Sequence, residues 1–126
     1  MNRRQRLYSI YRRIKTKRCC EEWLTDSEAF YSWYEKQAEK QSGLCAYCNL
    51  AGDTKECYGR RFREDKDGVA RRGFNLEVDK KDNGGEYSPE NCVLACYPCN
   101  NAKSDVFSYS EFREIGKTIE KVKGRH

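Results

Sequence analysis

Two Cys-x-x-Cys pairs, Cys45-Ala46-Tyr47-Cys48 and Cys96-Tyr97-Pro98-Cys99, stand 47 residues apart in the sequence and restrict its fold more than any other feature. A two-residue spacer lets both sulfurs of a tight turn point at one ion, so the two pairs together fit a tetrahedral four-thiolate site. All four positions are thiolates and none is left open for water, so the ion expected at Cys45, Cys48, Cys96 and Cys99 is a structural Zn2+. It would join distant parts of the chain and contribute apparent binding energy on the order of 10 kcal/mol. The supplement is needed. The chain has 126 residues, 36% of them charged and only 37% hydrophobic, so its core must lean on nine Tyr, five Phe and two Trp. That length suits one compact domain with flanking helices and is too short for two independent cores.

Eight cysteines could also form a disulfide framework, which requires an oxidising compartment and normally a secretory signal. Residues 1–18, MNRRQRLYSIYRRIKTKR, have a charged start but no apolar central segment and no small-residue cleavage site. No window approaches the roughly 18 apolar residues of a membrane span. The expectation is an intracellular, cytoplasmic chain without a membrane partner, where such pairs serve as metal ligands. Cys92 reads as a small buried residue, Cys19-Cys20 as packing between two helices, and Cys57 as a substitute ligand should one of the four be misassigned.

The net charge of +5 and a pI near 8.8 point to an acidic partner, nucleic acid being the commonest. A solvated basic surface has the same composition, but here the charge is clustered. Arg3, Arg4, Arg6, Arg12, Arg13, Lys15, Lys17 and Arg18 crowd one segment, and Arg60, Arg61, Arg63, Arg71 and Arg72 another.

Leu7, Ile10, Tyr11 and Ile14 recur at helical spacing, predicting a basic amphipathic helix over about 3–18. A second helix is expected from Thr25, because Thr25-Asp26-Ser27-Glu28 has the form of a capping box. Phe30, Trp33, Tyr34 and Ala38 form its buried face and Gly43 stops it. Residues 51–72 read as an irregular loop. Phe74, Leu76 and Val78 alternate with polar neighbours as in a half-buried strand ending at Asp79. Asn83-Gly84-Gly85 supplies a turn, Cys92-Val93-Leu94-Ala95 a returning strand, and residues 97–104 a short helix. A final helix starts near Ser108, capped through Glu111, with Phe112, Ile115 and Ile119 inward.

The segment Leu76-Glu77-Val78-Asp79, Gly84-Gly85, Asn91 and Cys96-Tyr97-Pro98-Cys99-Asn100-Asn101-Ala102-Lys103-Ser104 resembles the HNH endonuclease family. The resemblance covers about residues 44–105 and implies an α+β fold: a small zinc-stapled ββα-metal core (44–105) between a basic helical N-terminal extension (1–43) and a C-terminal helix (106–126). It implies Asp79 as an acidic metal ligand and Asn91 as the residue that bonds backbone across the loop. Asn100 would be the helix ligand of a catalytic divalent ion, Mg2+ or Mn2+, and Lys103 would face the phosphate. Asp82 is a further candidate for the ion. Independently of any family, Asp and Asn also favour strand ends and helix starts for turn and cap chemistry alone.

The sequence departs from the family at one position that matters. Where the family has a His as general base, this chain has Lys80, and its one histidine is His126. A lysine, with an unperturbed pKa of about 10.4, is a poor base at neutral pH. Three outcomes stand open: Lys80 grips a phosphate while the metal activates water; Asp82, Glu86 or Tyr87 acts as base; or the site only binds nucleic acid. The functions that follow are a metal-dependent endonuclease hydrolysing DNA, a degenerate HNH-like nucleic-acid-binding module, and a zinc-stabilised protein-interaction domain.

Overall fold

The computed structural model describes residues 2–52, 57 and 76–124. Most of the expected loop over 51–72, its arginines, Phe74 and His126 lie outside the described residues.

Helix α1 (Arg3–Lys15) opens on a reciprocal cap in which the Asn2 side chain accepts from the Gln5 amide and the Gln5 side chain accepts from the Asn2 amide. Leu7, Ile10, Tyr11 and Ile14 form the buried stripe their spacing implies. The helix stops at Lys15, three residues short of the expected end, because the chain then runs extended past Tyr87. Tyr87 donates its amide to the Arg18 carbonyl and accepts from the Cys20 amide, both at 2.8 Å, making a parallel bridge between Cys19 and Tyr87.

A short helix α2 (Glu21–Thr25), absent from the sequence reading, buries Trp23 completely. The cap expected at Thr25 lies one residue later. Thr25 is the last residue of α2, its hydroxyl turned back to the Glu21 carbonyl, and the extended Asp26 takes the N-cap of α3 (Ser27–Lys40) by accepting from Glu28. Phe30 and Tyr34 are buried as expected. Tyr31 is buried too, while Trp33 and Ala38 are half-buried and pack against the core. Trp23 meets Phe30 edge-on at 5.2 Å and Trp33 at 5.0 Å, so the aromatics supply much of the core's area. Past α3, Gly43 sits at φ +72° and donates to the Ala38 carbonyl, the left-handed turn that glycine accommodates without strain.

Strands β1 (Glu77–Lys80) and β2 (Cys92–Ala95) pair antiparallel, Glu77 opposite Ala95 and Lys80 opposite Cys92. β1 runs one residue beyond the expected end at Asp79. All of β2 is buried. Its outer edge is covered: the Gln41 side chain bonds both the amide and carbonyl of Leu94, at 3.0 and 2.8 Å, and the Ala46 amide donates to the same carbonyl. Helix α4 (Tyr97–Lys103) follows β2 directly. Helix α5 (Tyr109–Lys123) opens on the expected Ser108/Glu111 capping box and buries Phe112 and Gly116.

A Cβ at Gly116 would lie inside van der Waals contact with the carbonyl oxygen of Tyr47, a backbone atom that cannot swing away. Gly116→Ala is therefore expected to lower stability by roughly 1–3 kcal/mol despite the better helix propensity of alanine. A urea melt with a lower midpoint and unchanged slope would show it.

Candidate metal centre and its acidic strand

The ligand atoms of Cys45, Cys48, Cys96 and Cys99 all lie within 4.8 Å of one another and all four residues are buried. A tetrahedron with metal–sulfur bonds of about 2.3 Å has edges of about 3.8 Å, and the Cys48 and Cys96 sulfurs are 3.7 Å apart. Each turn also aims backbone at sulfur: the Tyr47 amide donates to Cys45 Sγ at 3.3 Å and the Cys99 amide to Cys96 Sγ at 3.4 Å. The cluster fits a structural metal and is able to hold zinc. Cys57 stays outside this group of four. Its thiol is buried, and the neighbouring Cys48, with burial behind it, pushes the thiol up. Cys92, in β2, is pushed up to about 12 chiefly by burial, as suits a packed thiol.

From this cluster two elements reach the same strand face. The second knuckle is also the start of α4: Cys96 is its N-cap and Pro98 sits in its first turn, where a missing amide costs nothing. Asn100 then donates from Nδ2 to Glu77 at 2.9 Å. One turn on, Lys103 approaches both oxygens of Asp79, at 3.4 and 3.5 Å. Glu77 and Asp79 are two apart on β1 and so share a face. The first knuckle contributes Tyr47, whose hydroxyl donates to Asp79 Oδ2.

Asp79 is therefore 6% exposed and held between a phenol and an ammonium. Burial pushes its carboxyl up, against the opposing pull of Tyr47 and Lys103. Burial, and then the Asp79 carboxylate, push the Tyr47 phenol far above its ordinary range, so it remains a donor. Lys103 is wholly buried, with the Lys80 carbonyl at 3.0 Å and Asn83 Oδ1 at 2.9 Å completing its shell. An ammonium so enclosed binds the strand and loop together and presents no face to a phosphate, unlike the contact the family resemblance implies for it.

The loop after β1 is closed by side chains. Asn91 accepts from the Asp82 amide through Oδ1 and donates through Nδ2 to the Asp82 and Glu86 carbonyls. Asp82 accepts from the Gly84 amide in a local turn. Lys80, on the opposite face from Asp79, donates to the Asn83 and Gly85 carbonyls at 3.0 and 3.1 Å and stands over the Tyr87 ring. Arg18 reaches the Gly84 carbonyl from the N-terminal segment at 2.9 Å. Asp79 and Asn100 thus meet at one face of β1, whereas Lys80, at the end of β1 on its other face, joins Asp82 and Asn91 in holding the adjoining loop. Tyr47 and Glu77 were not singled out from sequence. The i, i+2 spacing of Glu77 and Asp79 was a usable signal for the second; nothing local announces the first.

A two-stranded hairpin followed directly by a helix, whose first turn four cysteines gather to the knuckle after α3, has the arrangement of a ββα-metal unit. Residues 78–105 match the model of the HNH endonuclease family, and the chain resembles that family in this segment. Among solved structures it is similar to the rare-cutting HNH restriction endonuclease PacI, described with a mechanism of DNA perturbation, at 32% identity and a TM-score of 0.55 over 77% of this chain. The match covers 63% of the PacI chain, less than two thirds of it. No curated protein matches the sequence. Among the described residues, no helix is long and apolar enough to cross a membrane.

Proposed function

We propose that the chain is a metal-dependent endonuclease that hydrolyses phosphodiester bonds of DNA, with Asp79 and Asn100 as the ligands of a catalytic Mg2+ or Mn2+. The observation that carries this reading is the convergence of α4 on the acidic face of β1, where Asn100 and Lys103 meet Glu77 and Asp79. Both residues offer oxygen atoms, the donor type that hard divalent ions take. Bound there, such an ion would supply Lewis-acid polarisation of the phosphoryl oxygen and offset charge on the leaving oxygen. Asp79 is oriented by Tyr47 and Lys103, and Asn91 keeps the loop in shape. Lys80, its ammonium committed to loop carbonyls, contributes positive charge and loop closure rather than proton removal. The exposed Arg12, Arg13, Lys15 and Lys17 of the N-terminal segment add backbone affinity for DNA that falls steeply with salt. The PacI comparison supports DNA as the substrate class, and the four-cysteine cluster holds Zn2+ in a purely structural role.

Supercoiled plasmid incubated with the zinc-loaded chain and Mg2+ or Mn2+ tests this. Wild type nicks, and Asp79→Asn and Asn100→Ala each reduce the rate by about 100-fold or more, the scale of losing one group that stabilises the transition state, with zinc content unchanged and both variants folded by circular dichroism, Asp79→Asn with a lower melting point because Lys103 loses its buried partner. The Asp79–Lys103 pair and the lysine after Asp79 favour a second reading, a nucleic-acid-binding module without catalysis. Salt-sensitive DNA binding with no nicking in either metal would establish that reading instead.

A further inference from the structure

The carboxylate of Asp79 comes from β1, but both groups that hold it come from the segments gathered by the four cysteines. Tyr47 lies inside the first knuckle, between Cys45 and Cys48, and Lys103 ends the helix that Cys96 and Cys99 begin. Tyr47 has little freedom of its own. The residue is 4% exposed, and its ring is met edge-on by Phe112 at 5.2 Å and by Tyr109 at 5.8 Å. Its backbone is clamped at both ends, the amide on Cys45 Sγ and the carbonyl under Gly116. The hydroxyl is thus delivered to Asp79 by a rigid phenol on a metal-bound turn.

We infer that Tyr47 is a positioning residue for the catalytic cation: it fixes which way the Asp79 carboxylate faces, and through it the structural metal sets the geometry of the catalytic site. This rests on the reading of Asp79 as a cation ligand. A carboxylate has about four acceptor positions. Tyr47 occupies one on Oδ2 and Lys103 lies close to both oxygens, which leaves Oδ1 the less engaged. Groups that orient a metal ligand from behind typically alter metal affinity or activity by about 10–100-fold when removed.

Tyr47→Phe removes the hydroxyl while keeping the ring, its aromatic contacts and the backbone N–H hydrogen bond to Cys45 Sγ. Mn2+ binding to the zinc-loaded full chain, followed by electron paramagnetic resonance, is measured beside plasmid nicking over a range of Mn2+ concentrations. The expected result is zinc content as in wild type, a Kd for Mn2+ about tenfold weaker, and cleavage that recovers close to the wild-type rate at saturating Mn2+. Asp26→Ala serves as the control, because it removes the N-cap of α3 without touching Tyr47 or Asp79 and is expected to lower stability with Mn2+ affinity unchanged. Unaltered Mn2+ affinity in Tyr47→Phe, or an equal loss in Asp26→Ala, overturns the positioning role while leaving the proposed function intact. A wild-type chain that binds no Mn2+, or an Asp79→Asn variant that binds it as tightly as wild type, overturns the proposed cation site and the inference with it.

Discussion

Stripping the ion from Cys45, Cys48, Cys96 and Cys99 is expected to unfold the segment they gather, with loss of most of the cooperative thermal transition. The four residues are each 3% exposed or less, so emptying the site leaves four polarisable sulfurs crowded in the interior with no cation to hold them together. Two pairs 47 residues apart in sequence are then held by a short hairpin and a thin core. Apparent binding energies of structural zinc sites are on the order of 10 kcal/mol, comparable to the whole stability of an ordinary domain. Elemental analysis should find one zinc per chain, and a strong chelator should abolish the melting transition seen by circular dichroism. Cys96→Ser should do the same, because serine can keep the N-cap of α4 but supplies no thiolate to the cluster. A metal-free chain melting as the metal-bound one does would refute the structural role of the cluster.

Lys103→Met should cost about 3–5 kcal/mol, the range for breaking a buried ion pair from one side. The side chain has no exposed surface and its ammonium serves Asp79, the Lys80 carbonyl and Asn83 at once. Methionine fills the volume but leaves the Asp79 charge buried with Tyr47 as its side-chain donor. The double variant Lys103→Met/Asp79→Asn should recover part of the loss, because a neutral amide accepts from Tyr47 without a buried charge. Urea unfolding of the four chains gives the coupling directly. An unperturbed single variant would mean that the pair is open to water.

Elements whose determinants are local were legible in the sequence. The α1 stripe, the Ser108 cap and both knuckles depend on residues within a few positions of one another, and so does the β2 run. The α2 helix was not, because five residues give no periodicity to read and Trp23 announces its burial only once Phe30 and Trp33 are beside it. Thr25 misled because Thr and Asp at consecutive positions both suit an N-cap, and the extra turn of helix before Asp26 decided between them. In the site, the carboxylates were visible by type, whereas the burial of Lys103 and the phenol on Asp79 follow from contacts 24 and 32 residues apart in sequence. No local pattern encodes such contacts.

The bridge between Cys19 and Tyr87, with Arg18 on Gly84, joins partners 66 residues or more apart. The sulfurs of Cys48 and Cys96 are 48 apart. Contacts of that span make folding slow, and they fix an order of assembly on the ribosome. The N-terminal helices can gather their aromatics early, yet Cys45 and Cys48 have no partners, and the metal no closed shell, until Cys99 has emerged. A chain halted before that point would carry an unclosed pair of thiols and an uncovered aromatic face, so its fate rests with the chaperones and proteases it meets there.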